Sequence, residues 1–322
     1  MCYDIEKELT AMFLATTTGD FGKFFTSDKD RVKGLYEAGF RYMDLSMYSG
    51  DRPGWQYMQP DWEEQIDELK EYADNLGMTF VQAHSPGTCG NPLVHNEAYD
   101  QLVASTIRSI EICGKLGIKN TVIHTGWHDD IQYNAEGEKK YFEENMKFIS
   151  ALFPAMEKNG VNVLIENSTK ANMGSKYFFY TGNEMRAFLA YANHPLLHAC
   201  WDTGHANVEG SQYQQIVDLG EELYGLHVND NRSGRDEHMM PYTGSLNLDE
   251  IMCALIDSNY KGYFTFECGS TLVNPGYWLC KRKEFTKETR LSTVPYFLHC
   301  GFEKLLYETG KYALEAYNCF EG

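Results

Sequence analysis

The sequence predicts a single α/β domain, a (β/α)8 barrel with a C-terminal helical extension, and three observations predict it. One pattern recurs along the chain: an amphipathic helix, a glycine, and a short apolar run a few residues later. Completing the pattern gives eight such runs, which suits a closed barrel of parallel strands better than an open sheet. No GxGxxG follows any run, so the mark of a dinucleotide-binding, doubly wound sheet is missing.

The elements follow in order. A first strand is expected at 11–16. The segments EAGFRYMDLSM (37–47), NLGMTFVQAHS (75–85), KLGIKNTVIHTG (115–126) and KNGVNVLIENS (158–168) place strands at 41–46, 79–84, 120–125 and 162–167. Gly39, Gly77, Gly117 and Gly160 stand where a helix ends in a left-handed residue. Strands at 197–202 and 223–228 come next, and the looser copy NYKGYFTFECGS (259–270) gives the eighth at 262–267. Each run is short, apolar and partly β-branched, as a strand buried on both faces requires. Between them, Val103, Ile107, Ile110 and Cys113 form one helical stripe, and Phe142, Met146, Ile149 and Leu152 another. Pro154 is expected to kink or end the second helix. A short helix is expected at 212–219. The barrel should span about 11–270, and residues 1–322 should form one domain. The tail, 282–318, reads as helical through VPYFLHCGFEKLLYETGKYALEAY.

Bulk properties narrow the class. Hydrophobic residues make up 43% of the 322, enough for a large core. No apolar run reaches about 18 residues, so no membrane span is expected. The opening MCYDIEKELTAMF lacks a basic stretch followed by an apolar one, unlike a signal peptide. Nine scattered cysteines without a CxxC suit a reducing cytoplasm, with Cys113, Cys200 and Cys268 as buried thiols. A formal charge of −18 repels polyanions, so no nucleic-acid partner is expected. Aromatics at 14% suit either a large core or a pocket that stacks on rings.

The chemistry is expected at the strand ends. His84, His124, Glu166, Asp202, His227 and Glu267 close strands three to eight. In a barrel all strand C-termini meet at one mouth. Alone, each residue would read as a cap, a surface charge or a core histidine. Six in register is different, because converging carboxylates raise one another's pKa and a cation removes that penalty. Mixed carboxylate and imidazole ligands suit Mn²⁺, Co²⁺, Zn²⁺ or Fe²⁺ better than Ca²⁺. Mn²⁺ is the first expectation. His205 follows Asp202 within one turn, and Asp236 and His238 form a D-x-H on an extended loop after strand seven.

These pieces (AHSP, VIHTG, LIEN, DTGHAN, LHVND, DEHMMPYTG and FECG) resemble the xylose isomerase-like superfamily of TIM barrels over about residues 11–270. That group includes sugar-phosphate isomerases and epimerases, ketose 3-epimerases, inosose dehydratases and endonuclease IV. The resemblance to the epimerases implies one catalytic metal on Glu166, Asp202, His227 and Glu267, with His205 touching substrate. It implies a sugar isomerase or epimerase acting by α-proton abstraction through a metal-stabilised enediolate, with Glu166 and Glu267 exchanging the proton. A lyase would use the same deprotonation, as an inosose dehydratase or a C-glycoside-cleaving enzyme. The resemblance to endonuclease IV implies a three-zinc nuclease, because all nine ligand types have counterparts in His84, His124, Glu166, Asp202, His205, His227, Asp236, His238 and Glu267. Chain acidity favours the small polyol. Relatives of this kind also work as oligomers or with a second subunit.

Around the mouth, Arg232 or Arg235 is expected to bind an anionic or polar end of the substrate, and Trp127, Trp201 and Trp278 to wall the pocket or pack the core. His84, His124, Asp236 and His238 are the remaining substrate-binding candidates. The loops 47–62 and 268–281 are candidate lids.

Overall fold

The computed structural model describes residues 11–269, 271, 272, 291 and 293–321. Trp278, most of the 268–281 loop, and the segment joining it to the C-terminal helix lie outside the described residues.

Eight parallel strands alternate with helices: β1 Phe13–Thr17, β2 Tyr42–Ser46, β3 Thr79–His84, β4 Asn120–Ile123, β5 Asn162–Glu166, β6 Leu197–Asp202, β7 Leu223–His227 and β8 Tyr263–Phe266. Each pairs with its neighbour in chain order, and β8 pairs with β1. The last seam closes through a bridge between Val228 and Phe266, with Val228 N donating to Thr265 O at 2.7 Å. The chain therefore forms a closed (β/α)8 TIM barrel with a C-terminal helix, as the recurring units predict. No described helix is long and apolar enough to cross a membrane.

Glycine sets the helix-to-strand turns where the pattern asked for it. Gly39, Gly117 and Gly160 cap their helices with φ of 113°, 80° and 60°, and Gly77 has φ 67° one residue beyond its cap. N-terminal caps are side-chain oxygens: Asn96, Asn134 and Thr181 each accept a backbone N–H of the first helical turn.

Two helices add to what the pattern predicts. Helix Ala135–Asn159 runs on through Pro154 to Gly160, so the proline does not end it. In helix Glu97–Leu116 the stripe is rotated: Leu102, Ser105, Thr106, Ser109 and Ile112 join Ile110 and Cys113 in burial, while Val103 and Ile107 flank the core. Ser109 faces the barrel, where Ser85 Oγ, behind β3, bonds both Ser109 Oγ (2.7 Å) and Thr121 Oγ1 (2.8 Å). Periodicity weighs hydrophobicity and so misses a buried face built on hydroxyl pairs.

The main core lies between strands and helices, and Val122, Leu164 and Cys200 form a small separate cluster. Cys113, Cys200 and Cys268 are buried free thiols, as expected.

Candidate metal centre and active site

Parallel strands deliver their last residues to one rim. His84, Glu166, Asp202 and His227 end β3, β5, β6 and β7, while His124 and Glu267 lie one residue past β4 and β8. One ligating atom from each of Glu166, Asp202, His227 and Glu267 lies within 4.8 Å of the other three. Two further groups meet the same limit: His84 with Glu166 and His227, and His205 with Asp236 and His238.

The charges explain why the groups hold together. Burial alone would push Glu166 up, but the His227 charge and contacts to His124 and His227 hold it well below the usual carboxylate range. Glu267 also resists burial and falls to about 2, drawn down by His227 and His238. His227 rises to about 10 despite burial, because Glu267 and Glu166 flank it. Asp202 is pushed up to about 6 by burial, with His205 opposing and Glu166 adding repulsion. His84 falls to about 4, desolvated and facing His124.

The donor set fits a divalent cation. Three carboxylates and one imidazole converge where burial is nearly complete for Glu166, Asp202 and His227. Glu166 Oε2 lies 2.8 Å from His124 Nε2, yet makes no aligned hydrogen bond and is otherwise orphaned. Asp236 Oδ1 sits likewise, 3.1 Å from His238 Nε2. A buried, unsatisfied oxygen of Glu166 inside the four-residue cluster is what a ligand aimed at an ion presents, while Asp236 belongs to the separate group with His205 and His238.

A shell of hydrogen bonds fixes these side chains. Asn229 Nδ2 donates to Asp202 Oδ2 (2.7 Å), and His205 N donates to Asp202 Oδ1 (2.6 Å). Asn167 pairs with the backbone of Asp202 in both directions, at 2.6 and 3.0 Å. His84 Nδ1, His205 Nδ1 and His238 Nδ1 each face a backbone carbonyl, which directs the other ring nitrogen inward. Gly204 is required here: a Cβ would stand 1.7 Å from Asn229 Oδ1. His238 has φ 46°, so the D-x-H segment is bent into the left-handed region and not extended.

Above the cluster opens a cavity of about 400 Å³. Glu166, Glu267, His84, His124, His205, Asp236 and His238 reach its wall. Asp202 and His227 are not on that wall and are almost wholly buried.

Other expected residues go elsewhere. Arg232 points to solvent, its side chain 63% exposed and paired with Glu237 at 2.9 Å, and Arg235 is also exposed; neither lines the cavity. Trp127 lines a smaller pocket that adjoins the cavity. Trp201 is fully buried and donates Nε1–H to Gln212, which makes it core. Sequence reasoning missed Asn167 and Asn229, although each lies within two residues of a ligand. It also missed Asp20 and Lys23 behind β1, Asn172, and Asp44 inside β2. Asp20, Lys23 and Asn172 line the cavity. Asp44 was visible as a lone acid in the apolar run YMDLSM; burial raises it to about 6.

Comparison with known proteins agrees with this architecture. An uncharacterized protein, y4fM, of Sinorhizobium fredii is 26% identical over 204 residues, 63% of this chain and 63% of that protein. A probable endonuclease 4 of a Geobacter species is 24% identical over 202 residues, 58% of this chain and 69% of that protein. The solved D-psicose 3-epimerase of Clostridium cellulolyticum shares the fold, with TM-score 0.71, 17% identity, and coverage of 94% of this chain and 99% of that one. A family model described as "Xylose isomerase-like TIM barrel" matches residues 32–288, which takes in β2 to β8 and every candidate ligand. The chain therefore belongs to the xylose isomerase-like TIM-barrel family.

Proposed function

We propose that this protein is a metal-dependent sugar epimerase or isomerase that moves a proton beside the carbonyl of a ketose or related polyol. One observation carries the proposal: of the four clustered ligands, Glu166 and Glu267 reach the cavity while Asp202 and His227 stay beneath it. Asp202 and His227 would hold the ion from beneath, and Glu166 and Glu267, which reach the cavity wall, would both hold it and meet substrate.

Glu166, Asp202, His227 and Glu267 would bind a divalent cation, Mn²⁺ first and Co²⁺, Zn²⁺ or Fe²⁺ after it. When bound, such a cation supplies Lewis-acid polarisation of the carbonyl and offsets the carboxylate charge. The protein's own groups do the rest. Glu166 and Glu267 belong to strands on different sides of the rim, so each addresses a different face of a sugar lying between them. One carboxylate oxygen takes the α-proton, the other carboxylate takes a proton from solvent and delivers it to the opposite face, inverting the carbon, and the first then gives its proton back to solvent. His205 and Asp236, 3.1 Å apart at Nε2 and Oδ2, both line the cavity and would share the binding of a substrate hydroxyl. His84, His124 and His238 complete the polar wall.

The test is exchange of the α-proton with solvent D₂O, followed by NMR over a panel of ketoses and inososes with Mn²⁺ or Co²⁺ added. Metal-dependent exchange with an epimeric product supports the proposal, and exchange with loss of a β-hydroxyl would redirect it to a lyase. No exchange with any substrate would overturn both.

A second reading has its own support. The two further ligand groups match the needs of a multi-zinc abasic-site nuclease. A net charge of −18 opposes it, since phosphate contacts dominate DNA affinity. Nicking of abasic duplex by the zinc-loaded protein at low salt is the discriminating assay.

A further inference from the structure

Beside the main cavity lies a second pocket of about 270 Å³. The two share Tyr48, His124, Thr125 and Met173, so the second is an annex of the first. Its far wall is the loop 86–92, and Trp127 stands at its edge.

The annex is built and held. The carboxylate of Asp51, 2% exposed, accepts the backbone N–H groups of Thr88, Cys89 and Gly90. Thr88 Oγ1 donates to Tyr48 O at 2.8 Å, tying that loop to the residue the two pockets share. Asn91 joins the loop to Trp127: its Nδ2 donates to Trp127 O at 2.8 Å, and its Oδ1 accepts Trp127 N at 3.3 Å. A pocket wall fixed by buried side chains is pre-formed, and ligands use such pockets at low ordering cost.

Size and charge say what would fill it. The main cavity alone, about 400 Å³, equals about thirteen waters at ~30 Å³ each, whereas a hexose has about twelve tightly bonded non-hydrogen atoms. A hexose thus fits the main cavity with room left, and the annex needs something more. Among the described residues lining the annex there is no Asp, Glu, Lys or Arg. Prolines, Leu102, Ile123, Phe148 and Met173 make most of the lining apolar, with His124 and the Trp127 indole beside them, a surface that suits an uncharged ring better than a charged group.

We infer that the substrate is a ketose joined to a second, uncharged ring, and that the annex at Trp127 and loop 86–92 seats that ring. The inference rests on the epimerase reading, whose substrate class it names.

Two measurements test it on the Mn²⁺-loaded protein. Intrinsic tryptophan fluorescence gives binding, and D₂O exchange at C3 gives turnover. The probes are D-fructose, the neutral disaccharides lactulose and isomaltulose, and fructose carrying glycine on C1 as a charged conjugate. At least one disaccharide should bind tenfold or more tightly than fructose and show the higher kcat/KM, while the charged conjugate gains nothing. Trp127→Ala and Cys89→Trp, which respectively remove the indole and fill the annex, should bring the disaccharide-to-fructose ratio close to one. Equal binding of fructose and both disaccharides overturns the inference, as does preference for the charged conjugate or an unchanged ratio in both variants. Exchange with fructose alone would sink the inference and leave the epimerase reading standing. Disaccharide binding without any exchange would sink the epimerase reading, and the annex with it as a substrate subsite.

Discussion

At the scale of single residues, the site divides into groups that meet substrate and groups that hold them still. Glu267 is the more open of the two candidate proton carriers, its side chain 27% exposed against 1% for Glu166. Glu267→Gln keeps the shape and removes the base. Turnover in the exchange assay should fall about 10²- to 10⁴-fold, with a circular dichroism spectrum unchanged. A fall of less than threefold would take Glu267 out of the proton path. Asn229 tests the supporting layer. Its amide donates to Asp202 Oδ2, and its backbone and Thr203 bond each other in both directions. Asn229→Ala should weaken Mn²⁺ binding about 10- to 100-fold by calorimetry, because an unsupported carboxylate loses its aim. Unaltered affinity would mean Asp202 is held by other bonds alone.

At the scale of an element, the C-terminal helix Tyr296–Ala316 does more than cover the barrel. It carries His299 and Glu303 inward, both nearly inaccessible, with His299 Nε2 3.4 Å from Glu303 Oε1. Neither oxygen of Glu303 has a hydrogen-bond partner. Burial, and then the Asp20 charge, push Glu303 well above the usual carboxylate range. Asp20 itself is raised to about 7, chiefly by burial. The native state therefore holds the Glu303 proton more tightly than the unfolded chain does. As pH rises past the ordinary value of 4.5, the unfolded chain ionises first, and folding loses stability. Glu303→Gln removes that ionisation. Between pH 5 and pH 8 the melting temperature of the variant relative to the parent should climb by roughly 2 °C or more. A difference that stays flat across the range would show that Glu303 titrates normally.

At the scale of the whole molecule, most of the barrel was legible because its grammar is local. Gly39, Gly117 and Gly160 end helices for steric reasons a single residue reveals, and β3 and β6 begin and end where their apolar runs do. The rim ligands were legible because parallel strands convert sequence order into a ring. What depends on tertiary partners was not legible: the Ser85–Ser109–Thr121 hydroxyls that rotate a helix, the exposed turn that sends Arg232 to Glu237, and the Asn167 and Asn229 amides that look like any polar loop residue. The same ring makes the ion a structural matter for the entire barrel. Glu166, Asp202 and Glu267 come from β5, β6 and the end of β8, so an ion held by all of them would tie three strands together. A ligand that binds the native state and not the unfolded one stabilises by mass action, about 2.7 kcal/mol at a hundredfold excess over Kd. Treatment with EDTA should therefore lower the melting temperature of the whole barrel in one cooperative transition, and Mn²⁺ should restore it in proportion to the logarithm of its concentration. In Asp202→Asn the restoration should need at least tenfold more Mn²⁺. A melting temperature indifferent to chelation and to added Mn²⁺, Co²⁺ and Zn²⁺ would mean that the converging carboxylates bind no ion, and the catalytic proposal would lose its foundation.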